Sequence, residues 1–216
     1  MGSDNVRTVV VATGNRHKVD EIRAAIDLPG IKFVAATELN PEWPSPEEDG
    51  ETFEANARIK AQAARKDFDL ACLADDSGLE VDALDGEPGV YSSRYAGPCA
   101  SDDENNRRLL LALRDTPPSE RAANFRSTLV FVSENGTELV ATGTCEGAIG
   151  FEPRGENGFG YDPLFFPAAT PGVTMAELSM VEKNAISHRG AALRALRAQL
   201  TDSVDAVVSG ESGTGE

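Results

Sequence analysis

The stretch RTVVVATGNRHKVDEIRAAI, Arg7–Ile26, decides the fold. RTVVVA is a short, β-branched run of the kind that forms a buried strand. Gly14 and Asn15 break it. From Lys18 onward, Val19, Ile22, Ala25 and Ile26 recur at helical spacing, so one face of a helix is apolar. A second β-rich run follows at Lys32–Ala36. Strand, turn, helix and strand in that order open an α/β fold.

Outward from this unit the same plan continues. Thr37–Glu51 is loop-like, with three prolines and several acids. Thr52–Lys66, rich in Ala, Lys, Arg and Glu, predicts a helix. Leu70–Ala74 predicts a strand that ends at Asp75-Asp76-Ser77-Gly78. Asp85–Pro98 reads as irregular. Ser101 with Glu104 is a capping-box pattern that starts a helix running to about Arg114. Asn124–Ser133 and Glu138–Ile149 are strands joined across Asn135-Gly136, a strong hairpin signal. The sheet is therefore mixed. Gly155–Phe166 is a second glycine-rich loop, Thr174 with Glu177 suggests another cap, and Ser187–Leu200 is helical. Residues 1–200 are expected to form one domain. Thr201–Glu216 carries four acids and no base and is expected to be a mobile tail.

A chain of 216 residues can bury a sizeable core as one domain or two intimate lobes. Its 40% hydrophobic and 26% charged residues are those of a globular protein. No apolar run nears the roughly 20 residues of a membrane span. The N-terminus lacks the basic start and long apolar core of a signal peptide, which points to the cytoplasm. Cys72, Cys99 and Cys145 show no CxxC spacing and read as buried or incidental thiols. The formal charge of −16 repels polyanions, so long DNA or RNA is a poor partner. It also opposes a free nucleoside triphosphate. Any phosphate site must therefore gather its own cations.

Five short segments carry candidate chemistry, each with a plainer alternative. Thr13-Gly14-Asn15-Arg16-His17-Lys18 feeds a helix N-terminus, where free N–H groups and the dipole favour phosphate. It is neither a Walker loop nor GxGxxG, and a simple turn with a solvated lysine is the alternative. Asp75 and Asp76 sit where open α/β sheets place ligands, and their oxygens suit Mg²⁺ bridged to phosphates. An acidic turn is the alternative. Glu47-Glu48-Asp49-Gly50 offers a further carboxylate or is a solvated loop, and Asn56 and Lys60 in the following helix share a face. Gly158-Phe159-Gly160-Tyr161-Asp162-Pro163 offers Phe159 or Tyr161 to stack on a base and Asp162 to read its edge. It is otherwise a tight turn with core aromatics. Lys183, His188 and Arg189 gather positive charge around a helix start, where it opposes the dipole unless an anion binds. A surface basic patch beside Glu182 is the alternative. His17 and His188 are too sparse for a His-rich zinc site.

TGNRHKVDEI, EEDGETFEANARIKA, LADDSGLEVDAL, GVYSSRYAG, NGFGYDPLFF and EKNAISHRGAAL occur in this order. Together they closely resemble the inosine/xanthosine triphosphate pyrophosphatase family, over about Val6–Leu200. The resemblance implies an elongated mixed β-sheet with flanking helices forming two lobes around a central cleft, assembled as a homodimer. It implies hydrolysis of ITP, dITP and XTP to monophosphate and pyrophosphate. Thr13–Lys18 would bind substrate, with Lys18 and Lys60 on the phosphates. Asp76 would hold Mg²⁺ with Glu48 and accept the proton of the attacking water, and Ser77 would contact substrate. Phe159, Gly160, Tyr161 and Asp162, with Lys183, His188 and Arg189, would hold the purine and read its 6-keto group. A metal-bound cation lowers the pKa of Asp76, so Asp75 or a metal-bound hydroxide is a candidate to share the proton. The competing readings are a Maf-type pyrophosphatase and a non-catalytic nucleotide sensor.

Overall fold

The structure, a computed structural model, describes residues 6–26 and 30–210. RTVVV forms β1 (Arg7–Val11), followed by α1 (Arg16–Ala25) and β2 (Ile31–Ala35). Asn15 caps α1, its side chain accepting from the His17 and Lys18 N–H groups. A short helix α2 (Ala36–Leu39) leads into the proline-rich loop. Thr52 then caps α3 (Phe53–Phe68). The chain returns as β3 (Ala71–Val81), and a 3₁₀ stretch at Gly89–Arg94 leads to α4 (Asp102–Ala112). β4 (Ala122–Val132) and β5 (Glu138–Ile149) form the expected hairpin, with Gly136 at φ 85° in its turn. β6 (Phe165–Pro167), α5 (Met180–Ile186) and α6 (His188–Gly210) complete the fold.

The six strands lie in the order β2-β1-β3-β4-β5-β6. β1 pairs parallel with β2 on one side and β3 on the other, and the remaining pairs are antiparallel. The sheet is therefore mixed, as the sequence predicts. The chain leaves β1 towards β2 and comes back to β3 on the opposite side. That reversal makes the carboxyl ends of β1 and β3 a topological switch point, where open α/β sheets place their ligands. Helices cover both faces. Val19 and Ile22 of α1 and Leu193 and Leu196 of α6 pack with Leu73 on one face. Ala57, Ala61 and Ala64 of α3 pack with Cys72 and Ala74 on the other. A third core joins Leu109 of α4 and Leu113, just past its end, to Phe125, Tyr161 and Leu164.

Three expectations are corrected. β3 does not end at Ala74: it runs through Asp75-Asp76-Ser77-Gly78 to Val81, because β4 pairs with it along that whole length. Successive residues of a strand point to opposite faces, so the two aspartates part company. Lys183, just before the last helix, lies within α5, a short helix that the sequence reading left out. Ser179 and Glu182 form its capping box. The last helix does not end at Leu200 but continues to Gly210, the first glycine or proline after Gly190. The final part of the expected tail, 211–216, falls outside the described residues. Among the described residues no helix is long and apolar enough to cross a membrane.

Candidate active site

A cleft of about 340 Å³ opens at the switch point, lined by Thr13, Gly14, Asn15 and Lys18 from the β1–α1 turn and by residues from further segments along the chain. Its two ends differ in chemistry.

At one end Asp76 points towards α3. Lys60 Nζ lies 2.7 Å from its Oδ1 and 3.2 Å from Glu48 Oε2, so two carboxylates share one ammonium. Among the described residues, the buried Asp76 Oδ2 has no hydrogen-bond partner. Burial raises the Asp76 pKa above the ordinary carboxylate value, and Glu48 pushes the same way against Lys60. Burial also acts on Glu48, but there Lys60 outweighs it and the pKa is lowered. Burial works against the charge on Lys60 too, yet the facing acids raise its pKa overall. The Glu48 loop is fixed from two further sides: Arg94 donates to the Glu48 carbonyl at 3.2 Å, and Gly50 N–H donates to Asn56 Oδ1 at 2.8 Å.

The other end is built on the opposite face of β3. Asp75 accepts from Arg189 Nη2 at 2.8 Å, Lys18 Nζ at 2.9 Å and Ser127 Oγ at 2.6 Å. Burial opposes the Asp75 charge, but Arg189 and Lys18 hold its pKa well below the usual range. Arg189 also pairs with Glu21, as does Lys183, which reaches Asp162 as well. Ser77 Oγ accepts from Arg189 and donates to Asp75. Burial keeps the Asp162 pKa raised despite Lys183. Asp162 also accepts from Phe159 N–H, and a Cβ on Gly158 would lie 2.1 Å from its Oδ2, so the turn requires glycine there at φ 76°. The His188 ring stacks on Phe125 at 4.7 Å, its Nδ1 buried without a partner. Burial, with Arg189 alongside, lowers the His188 pKa far below 6.5, so the imidazole is neutral.

The cleft brings together Thr13, Gly14, Asn15, Lys18, Glu48, Lys60, Asp76, Ser77, Phe159, Gly160, Tyr161, Asp162, Lys183, His188 and Arg189. It does not take in Arg16, which is exposed on a separate groove with Asp20, Arg23 and Glu38. Two residues along a helix is about 200° of turn, so with Lys18 facing inward Arg16 faces away. His17 is exposed at the rim, stacked on Phe159 at 5.5 Å. Tyr161 is not a free stacking platform: it is buried, its hydroxyl donating to the Ser92 carbonyl. Phe159 is the half-buried ring facing Lys183 and Arg189, 4.8 and 5.6 Å from its centroid. Asp75 does not line the cleft, and its four donor residues remove it as a proton acceptor. The anion expected at the start of α6 is the protein's own, supplied to Arg189 by Asp75 and Glu21.

A comparison with family models matches the Ham1 family over residues 9–199. The chain belongs to the Ham1 family. It is 51% identical over 193 residues to the dITP/XTP pyrophosphatase of Geobacter sulfurreducens, spanning 89% of this chain and 96% of that one. The HAM1 protein of Coxiella burnetii has a similar solved structure, with a TM-score of 0.79 and 46% identity over 91% of this chain and 99% of that one. The Ham1 protein of Staphylococcus aureus superposes at a TM-score of 0.79 with 40% identity, covering 91% of this chain and 100% of its own. Ham1 membership displaces the Maf-type reading.

Within this Ham1 chain, sequence reasoning left out several residues that shape the site. Glu21, 4% exposed, joins Lys183 to Arg189. It lies three residues after Lys18, on the same face of α1, and that spacing was a usable signal. Phe125 and Ser127 come from β4, and only strand pairing brings them to the site. Asp102 and Asn105 of α4 also line the cleft.

Proposed function

We propose that this protein hydrolyses the triphosphates of non-standard purines, ITP, dITP and XTP, to the monophosphate and pyrophosphate. The observation that carries the reading is Asp76. A buried carboxylate oxygen without a partner, beside Lys60 and Glu48, is left open at a cleft end that Lys18 also faces. The Ham1 assignment and the dITP/XTP pyrophosphatase relatives supply the substrate class.

The donor set fits a hard divalent cation. Among the described residues no group of three or more His, Cys, Asp or Glu is arranged to hold an ion, so a site enclosed by protein ligands, as for structural zinc, is not on offer. Two carboxylates completed by water and substrate phosphates are the pattern of Mg²⁺. Asp76 and Glu48 would hold it, and when bound it would neutralise and align the phosphate oxygens. Lys18 and Lys60 place further positive charge along the triphosphate. Water attacks in line with the departing pyrophosphate, and Asp76 takes its proton.

At the other end Phe159 stacks on the purine. Arg189 and Lys183 spend their charge on buried acids and present N–H donors. A 6-keto oxygen accepts from such donors, whereas an adenine amino group leaves one unpaired, and polar mismatches of this kind are strongly rejected. The homodimer, with action in the cytoplasm, completes the reading. Pyrophosphate release from ITP, XTP, dITP, ATP and GTP, with Mg²⁺ and with EDTA, tests it. Chelator-sensitive release from the first three, far above ATP and GTP, is expected. No release from any of them would leave a nucleotide sensor.

A further inference from the structure

The loop that carries Phe159 is gripped by a helix to which no part in the chemistry has been given. Gly160 N–H donates to Asp102 Oδ2 at 2.6 Å, and the Gly160 carbonyl accepts from Asn106 Nδ2 at 2.9 Å. Asp102 and Asn106 are four residues apart on α4, so they rise from one face of that helix. The two bonds hold the peptide planes on both sides of Gly160, one shared with Phe159 and the other with Tyr161. Asn105, between them, accepts from Ala96 N–H at 2.8 Å and donates to the Ser93 carbonyl at 3.2 Å, tying down the segment after Ser92. Ser92 in turn receives the Tyr161 hydroxyl.

Asn106 itself is buried, and among the described residues its Oδ1 has no hydrogen-bond partner. A buried acceptor left unpaired is a cost that a leucine of similar shape would avoid. Packing alone does not account for asparagine at this position. Its one made bond is to the Gly160 carbonyl.

We propose that Asn106, assisted by Asp102, is a positioning residue for purine recognition: α4 sets the Gly160 peptide and thereby the Phe159 ring against Lys183 and Arg189. This rests on the purine triphosphate reading above. Neither side chain takes part in the hydrolysis of the phosphate bond, so each acts on where the base sits.

Asn106→Leu and Asp102→Ala test it against the wild type in one panel of ITP and ATP. For Asn106→Leu, KM for ITP rises and the ITP/ATP preference falls by about tenfold, what one misplaced polar contact is worth, while kcat stays within about threefold. Thermal stabilisation by inosine monophosphate, which has the base but no bond to cleave, weakens in step, and the unliganded Tm holds. Asp102→Ala alters an exposed side chain and shifts the same quantities in the same direction, by less. An unchanged KM and preference in both variants overturns the inference, as does a loss of kcat and Tm at constant KM. A wild type without preference for ITP over ATP removes the purine reading and this inference with it.

Discussion

At the purine end of the cleft, three acids (Asp162, Glu21 and Asp75) alternate with three bases (Lys183, Arg189 and Lys18) in one buried chain of ion pairs. At the Glu48 end two acids, Asp76 and Glu48, share Lys60, and one carboxylate oxygen has no hydrogen-bond partner among the described residues. The first set is closed on itself and, Lys18 apart, offers a ligand only oriented hydrogen-bond groups. The second is one positive charge short, and on the proposed reading it is completed by what arrives with the substrate. Adjacent residues of one strand, Asp75 and Asp76, belong to the two different sets because the pleat sends them to opposite faces. On the proposed reading, recognition of a neutral base and handling of a polyanion are built separately, from opposite faces of one strand.

The largest effect expected from breaking the closed set is at Glu21. Glu21→Gln leaves Lys183 and Arg189 with one acid each, and removing one partner of a buried ion pair costs about 3–5 kcal/mol. Chemical denaturation measures the loss, and the ITP/ATP preference falls with it. A neutral effect on stability would show that the chain of pairs is not closed as described.

The next concerns His188, held neutral by burial with Arg189, Lys183 and Lys18 opposing its protonation and Asp75 favouring it. Once unfolded, the imidazole takes up a proton near its ordinary pKa of about 6.5. Stability is therefore full above that pH and is lost as the pH falls below it, by up to about 1.4 kcal/mol per pH unit. His188→Gln flattens this part of the stability profile between pH 6.5 and 5, read by denaturant melts at several pH values.

The smallest expected effect sharpens the open set. Mg²⁺ alone stabilises the folded protein by about 1.4 kcal/mol at roughly ten times its dissociation constant. Glu48→Gln reduces that shift in a thermal melt, and Glu21→Gln leaves it in place. Equal shifts in wild type and Glu48→Gln would take Glu48 out of the metal site.

The first βαβ unit is legible in the sequence because Val9–Val11 and the Val19, Ile22 face have clear periods and bury where those periods point. The cleft loops are legible through their glycines and charges. The strand character of Asp75–Gly78 is not, since Asp, Ser and Gly are poor strand formers and only pairing with Thr128 and Ser127 overrides that. Glu21 is one of several acids on helical faces, and its spacing from Lys18 is the local mark of the side it takes. The division of labour between Asp75 and Asp76 follows from that hidden strand.

The measurement that tests the separation of the two ends most directly is steady-state pyrophosphate release by Asp76→Asn, from ITP and from ATP in Mg²⁺. Turnover of ITP is predicted to fall about a thousandfold, some 4 kcal/mol of barrier, with the ITP/ATP preference retained and the fold intact. Near-normal turnover, or a preference that collapses together with turnover, would contradict the account.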